Sequence, residues 1–229
     1  MADEVGTLIT ECERIFRDTV GADSEKLISQ VEWIEYLANA EAEICRRAFV
    51  LNTTSTITMA ASTHTYSLSR HILTVGDKAY FNYDQSYMEK ATEDWLDRNL
   101  PPWRNTYGTP TKFVVYPTND EMRVTPIPPA AISGYTVILN IATLPTTTIA
   151  AAGDTPEISS KYYSDMKLWA LHKAYSKNDV EINLPDGSIQ NLSGKYLALF
   201  EASVGPRSNA NVERIVKEEP SYMRIGVYR

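Results

Sequence analysis

The chain has 229 residues, 43% of them hydrophobic, and a net charge of -7, which is enough apolar material for one large domain or two small ones with a real core. That acidic balance excludes the basic footprint of a protein that grips nucleic acid by its phosphates, yet it suits a surface that DNA slides past. No apolar run approaches the roughly 20 residues of a membrane span, and the acidic start Met1-Ala2-Asp3-Glu4 does not read as a secretory signal.

Val5, Leu8, Ile9, Cys12, Ile15 and Phe16 recur at helical spacing, and Gly21 marks the stop. A second helix is expected from Ser24 or Ser29 to Phe49, with Leu27, Val31, Ile34, Leu37, Ile44 and Ala48 on its inner face. Ser29 and Glu32 have the spacing of a capping box. Glu11, Glu13, Glu41 and Glu43 read as solvated helix faces. Cys12 and Cys45 lie far apart on helices, with no CxxC partner, and read as small buried hydrophobes in a reducing compartment.

After Leu51 the composition turns to Thr and Ser, which favours strands and loops. Ile72, Leu73, Val75 and Ala79-Tyr80-Phe81 predict a strand broken by a turn at Gly76-Asp77. Ser86 to Asn99 reads as a short amphipathic helix holding Ala91, Trp95 and Leu96, ended by Pro101-Pro102. A hairpin across Phe113–Tyr116 and Met122–Thr125 follows, turned by Pro117 to Asp120, and then a strand over Tyr135–Ile141. Prolines 126, 128 and 129 cannot donate to a ladder, so the second hairpin strand ends there or lies at an edge. Leu144 to Pro156 is a nearly uncharged loop, of the kind that is often mobile.

From Glu157 to Lys177 the chain is helical again, apolar on two sides as in the centre of a bundle. A polar connection with a turn at Pro185-Asp186-Gly187 leads to a last helix carrying Leu192, Tyr196, Leu199 and Phe200, which ends near Gly205-Pro206. The tail from Glu218 to Arg229 has little periodicity. The expected class is α+β: a helical bundle formed by the N- and C-terminal helices, with an inserted antiparallel β module. By residue, 1–51 gives the first helices, 52–153 the β-rich module, 154–206 the helices that complete the bundle, and 207–229 a tail for assembly contacts.

No catalytic constellation emerges. His64, His71 and His172 form no HExxH pattern, and no serine sits in a GxSxG elbow. His172 lies on a helix stripe with Leu168, Leu171 and Tyr175 and reads as a satisfied core or interface histidine. Cysteine and histidine never fall at metal-ligand spacing, the acidic residues lack a calcium-loop pattern, and there is no phosphate-cradling glycine motif. No catalytic, metal or cofactor residue is therefore nominated.

The aromatics point elsewhere. Fourteen tyrosines and four tryptophans bring apolar area with a polar handle, which favours interfaces. Trp103 and Arg104, in a loop between Pro102 and Gly108, combine two residue types common at interface hot spots, although a loop tryptophan equally often caps its own core. Tyr222, Met223, Ile225 and Tyr228 give the tail more apolar side chain than a solvated tail carries, so docking on a partner or a neighbouring subunit is expected.

Three segments, in order, resemble the head-to-tail adaptor proteins of short-tailed bacteriophages, of the tail-tubular-protein-A type. The first is Trp33-Ile34, Leu37-Ala38-Asn39-Ala40-Glu41 and Arg46-Arg47 on one helix. The second is Trp95-Leu96-Asp97, Trp103, Gly108-Thr109-Pro110 before a strand, and Arg123-Val124-Thr125-Pro126-Ile127-Pro128. The third is Asp154-Thr155-Pro156-Glu157-Ile158 with Tyr162-Tyr163 and the helix to Tyr175.

The resemblance implies a non-enzymatic structural subunit of a homo-oligomeric ring, usually of twelve copies, between the portal protein and a downstream tail or nozzle protein. Double-stranded DNA would cross it in packaging and ejection without specific binding. The protein would be made in the host cytoplasm and reside at the head-tail interface of the virion, with no membrane contact. Two other readings stand beside this one: a tail-completion or capsid-decoration protein, and a hydrolase using scattered carboxylates.

Overall fold

A computed structural model describes residues 5–16, 26–116, 119–178, 181–183 and 189–206. Gly21, Ser24, Pro117-Thr118, Pro185-Asp186-Gly187 and the tail residues Tyr222, Met223, Ile225 and Tyr228 lie outside them. The chain is α+β and divides into two compact units. One takes its residues from Met1–Leu51 and Leu144–Arg207, and the described part of the other is Asn52–Thr143.

The first unit is built on four helices, α1 (Val5–Phe16), α2 (Gln30–Ala48), α4 (Tyr163–Asn178) and α5 (Leu192–Val204). The Ser29 capping box forms as its spacing predicts: Glu32 N–H donates to Ser29 Oγ, and Ser29 N–H donates to the Glu32 carboxylate. At its C-terminus the chain turns through Phe49 in the left-handed region, φ 49°. The buried face of α2 is Trp33, Leu37, Ala40, Ile44 and Cys45. Leu27 and Val31, expected inside, are 63% and 72% exposed. The stripe is centred on Trp33 because the largest apolar group sets which side turns inward.

Helix α4 packs against α1, α2 and α5. That is why its apolar residues occupy more than one side: Met166, Ala170, Leu171, Ala174 and Tyr175 are all buried. Aromatic pairs fill the joints. Phe16 meets Trp33 edge to face at 5.9 Å and Tyr175 at 4.8 Å, and Tyr175 stacks flat on Tyr196 at 5.3 Å. A short hairpin, β8 (Glu181–Asn183) with β9 (Ile189–Asn191), joins α4 to α5. Asn191 Oδ1 caps α5 by accepting Gly194 N–H at 2.9 Å.

The second unit is one curled, seven-stranded sheet in the order β1-β7-β3-β4-β5-β6-β2. Its strands are β1 (Asn52–Thr58), β2 (Thr65–Ser67), β3 (Ile72–Phe81), β4 (Ser86–Lys90), β5 (Lys112–Tyr116), β6 (Glu121–Thr125) and β7 (Thr136–Thr143). The inner face closes on Phe81, Met88, Phe113, Met122, Val137 and Leu139.

Three expectations are corrected here. The sheet is mixed, because β4 and β5 pair parallel through Glu89↔Lys112 and Lys90↔Phe113. Ser86–Lys90 is a strand, and only Glu93–Asn99 (α3) is helical. Met88 and Lys90 turn inward while Tyr87 and Glu89 turn out, a period of two that the helix-spaced Ala91, Trp95 and Leu96 mask. Lastly, β3 is not broken at Gly76-Asp77 but runs through a register shift between Val75 and Ala79. Gly76 lies so close to β7 that a Cβ would stand 3.3 Å from Asn140 O.

Candidate assembly surface

On the outer side of β4 and β5, α3 begins at Thr92, whose Oγ1 accepts Trp95 N–H at 3.2 Å. After α3 the chain makes one 3-10 turn, Trp103–Asn105. Trp103 is 3% exposed and packs with Ala91, Leu96 and Val114. Its Nε1–H donates to Asp97 Oδ1 at 2.8 Å, and Thr125 Oγ1 donates to its carbonyl at 3.1 Å. Of the two loop residues nominated for contact, Trp103 is therefore enclosed in its own unit, and Arg104 faces outward.

Arg104 lies over the Trp103 ring, with its guanidinium carbon 4.3 Å from the centroid, and pairs with Asp97 and Glu93. The Arg104 hydrogen bond, followed by that of Trp103, holds the Asp97 carboxyl below the usual aspartate range. Two further cations repeat the motif: Lys112 over Trp95 at 5.2 Å and Arg123 over Tyr116 at 4.7 Å. Burial, reinforced by its hydrogen bond to Glu93, raises the Tyr116 phenol. The result is a surface of planar rings capped by cations and ringed by Glu89, Glu93 and Asp97.

In the helical unit, the Asp154 to Ile158 motif fixes a loop. Asp154 Oδ2 accepts Ala150 N–H at 2.7 Å and Ala151 N–H at 2.8 Å. Glu157 accepts the N–H groups of Thr146 and Thr147. Burial alone would raise the Glu157 carboxyl, but these bonds outweigh it and lower it. The loop in turn accepts the first donors of α1, with Val5 N–H on Asp154 O at 3.1 Å and Gly6 N–H on Ala152 O at 2.7 Å. The segment expected to be mobile is thus held at both ends.

The helix carboxylates also depart from expectation. Glu41 and Glu43 are 1% and 4% exposed, not solvated. Glu41 accepts Ile158 N–H, and its burial raises its pKa. Arg47 donates from Nε to Glu43 at 2.8 Å and from Nη1 to Glu201 at 3.3 Å and Gly205 O at 3.0 Å. Its guanidinium caps the touching rings of Trp169 and Phe200, 5.5 and 5.1 Å from their centroids. Glu11 pairs with Lys167 and Glu13 with Lys26. His172 Nδ1 meets Ser193 O at 3.0 Å, and burial lowers its pKa. Both cysteines are free and buried, as the sequence predicts.

Among the described residues, no three His, Cys, Asp or Glu side chains converge as metal ligands do, and no helix is long and apolar enough to cross a membrane. The chain matches the family model of the SU10 adaptor protein over residues 4–218. It belongs to the SU10 adaptor family. No curated protein matches it. The SU10 adaptor match spans the helices and the whole sheet, and it marks the chain as a structural head-to-tail component of a phage virion. For this adaptor, portal and tail proteins are the implied partners. Glu41 and Glu43 are the residues that sequence reasoning placed on the wrong side: Glu41 meets Ile158 from 117 positions away, and Glu43 is buried beside an Arg47 that also reaches Glu201.

Proposed function

We propose that this adaptor forms a homo-oligomeric ring of twelve copies beneath the portal, through which double-stranded DNA passes in packaging and ejection. A tail or nozzle protein attaches below, as in the tail-tubular-protein-A type of short-tailed phages. The observation that carries the reading is the family match, which runs through both units without interruption. The net charge of -7 supports it, because a like-charged lumen conducts DNA without holding it. The protein acts without catalysis, after synthesis in the host cytoplasm.

In this reading the N- and C-terminal helices work as one bundle, the sheet is inserted between them in the sequence, and 207–229 makes assembly contacts. Contact with a neighbour or the portal is carried by Arg104 on its Trp103 platform and by Tyr222, Met223, Ile225 and Tyr228. Electron microscopy of the purified protein mixed with the portal from the same genome tests this. A twelvefold ring added to the narrow end of the portal is the expected result. Density on capsid faces or at the tail tip instead would make it a decoration or tail-completion protein.

A further inference from the structure

Among the described residues, strand β1 has a ladder on one side only. It pairs with β7 in unbroken register from Asn52↔Ala142 to Thr58↔Thr136, and it stands at the end of the sheet. Met59 N–H donates to Tyr135 O at 2.8 Å. Bonded pairs alternate along an antiparallel ladder, so Ser55 and Ile57 also face β7. Thr54, Thr56 and Thr58 turn their N–H and C=O groups outward, where no strand among the described residues pairs with them.

Sheet edges are normally blunted by shortness, lysine, proline or a bulge. The opposite edge, β2, is only three residues long. The β1 edge has none of these guards from Thr53 to Thr58, which is uncharged, without proline and regular in register. No strand among the described residues covers Thr54, Thr56 or Thr58.

Outside the described residues the sequence carries a matching alternation. The tail as a whole has little periodicity, but within it Met223, Ile225 and Val227 fall at every second position, with Tyr222, Arg224, Gly226 and Tyr228 between them. That is the period of a half-buried strand. The faces of β1 match it: Ile57 is 8% exposed on the core side, while Thr54, Thr56 and Thr58 are exposed on the other. A strand laid alongside would extend the core with Met223, Ile225 and Val227 and set Arg224 over the threonines.

We propose that residues 222–228 of a neighbouring copy add to the free edge of β1 as an eighth strand, linking the sheets of adjoining subunits by backbone hydrogen bonds. This rests on the ring reading and names the contact that holds the ring. Residues 207–221, fully extended, reach about 50 Å at ~3.3 Å each, enough to cross to an adjoining subunit.

The test uses full-length chains assembled on the portal. A Thr56→Cys chain is mixed with an Arg224→Cys chain and treated with a short bismaleimide; the native Cys12 and Cys45 are buried. Crosslinked dimers are expected from the mixed rings and not from either variant alone. Intact rings without crosslinks would overturn the proposal and leave the ring reading standing. Failure of either single variant and of the wild type to form rings would remove both. A chain with both substitutions should give a ladder of oligomers; crosslinking within single chains would show the strand filling its own edge and sink the proposal. Thr56→Pro removes one outward donor and spares the β7 ladder. It should weaken ring assembly about tenfold while the monomer melts as before. Undiminished assembly of that variant would also count against the proposal.

Discussion

Glu41 accepts the backbone N–H of Ile158 at 3.1 Å, although the two stand 117 positions apart in the sequence. The bond ties α2 to the loop that precedes α4, and the same loop receives the first donors of α1. One buried carboxylate therefore sits where three segments of the helical unit meet.

Replacing Glu41 separates its acceptor role from its charge. Burial raises its folded pKa above the ordinary 4.5, so the folded state holds the proton more tightly than the unfolded chain. Its contribution is most favourable below that value and is lost as pH rises through the raised pKa. Glu41→Gln keeps an oxygen for Ile158 and removes the buried charge. Urea melts at pH 5 and pH 8 should show it at least as stable as wild type at the higher pH, with a flatter pH dependence. Glu41→Ala strands the Ile158 donor and should cost about 1–3 kcal/mol.

Arg47 and Glu43 form a second buried tie, their side chains 5% and 6% exposed. Arg47→Ala leaves Glu43 to the more exposed Arg46, 3.6 Å away, and removes the cation that caps Trp169 and Phe200. The loss should be about 3 kcal/mol, the low end for a buried charge that loses its closest partner. Arg47→Met with Glu43→Gln should recover part of it, because no buried charge is then left alone. Chemical denaturation of the three variants measures the difference.

Much of the helical unit was legible from local rules. The capping box at Ser29, the α1 stripe and the two-sided character of α4 each follow from residues within a turn or two. The β5–β6 hairpin was equally plain, since alternation on both sides of a turn fixes register. What escaped was set by distant partners. Glu41 looks like a surface residue until Ile158 is brought to it, and Glu43 with Arg47 like a surface pair until Glu201 and Gly205 meet Arg47. The parallel pairing of β4 with β5 depends on a crossover through α3, and nothing within Ser86–Lys90 announces it. Trp103 had two readings with similar support in the sequence, and the packing around Leu96 and Val114 was needed to place it inside.

Trp103 and Arg104 now part company. Trp103→Ala empties a buried site and should cost about 3–5 kcal/mol, visible as a lowered Tm of the isolated protein. Arg104→Ala removes an exposed group and should leave Tm nearly unchanged while weakening ring assembly on the portal. A variant pair that behaved the other way round would move the contact surface off this face.

The two thiols should be inert in the native protein. Burial pushes both Cys12 and Cys45 up to about 12, so neither forms thiolate at pH 8. An aromatic disulfide reagent should detect no free thiol before unfolding and two per chain in denaturant. Rapid labelling of either cysteine under native conditions would show that its helix opens.

Removing residues 218–229 should leave the folded monomer intact and reduce assembly, read by native gel and by particle counts on the portal. Normal ring formation by the shortened chain would make those residues dispensable.

The helical unit is discontinuous: the whole of Asn52–Thr143 lies between its two halves. A ribosome therefore delivers every strand of the sheet before it delivers α4, the helix on which α1 and α2 close. The sheet can fold during synthesis, while α1 and α2 must wait, with Trp33 and Leu37 uncovered, for the last third of the chain. That interval is when this subunit is most exposed to aggregation. A translational pause within Asn52–Thr143 would lengthen it, whereas slowing after α5 would not.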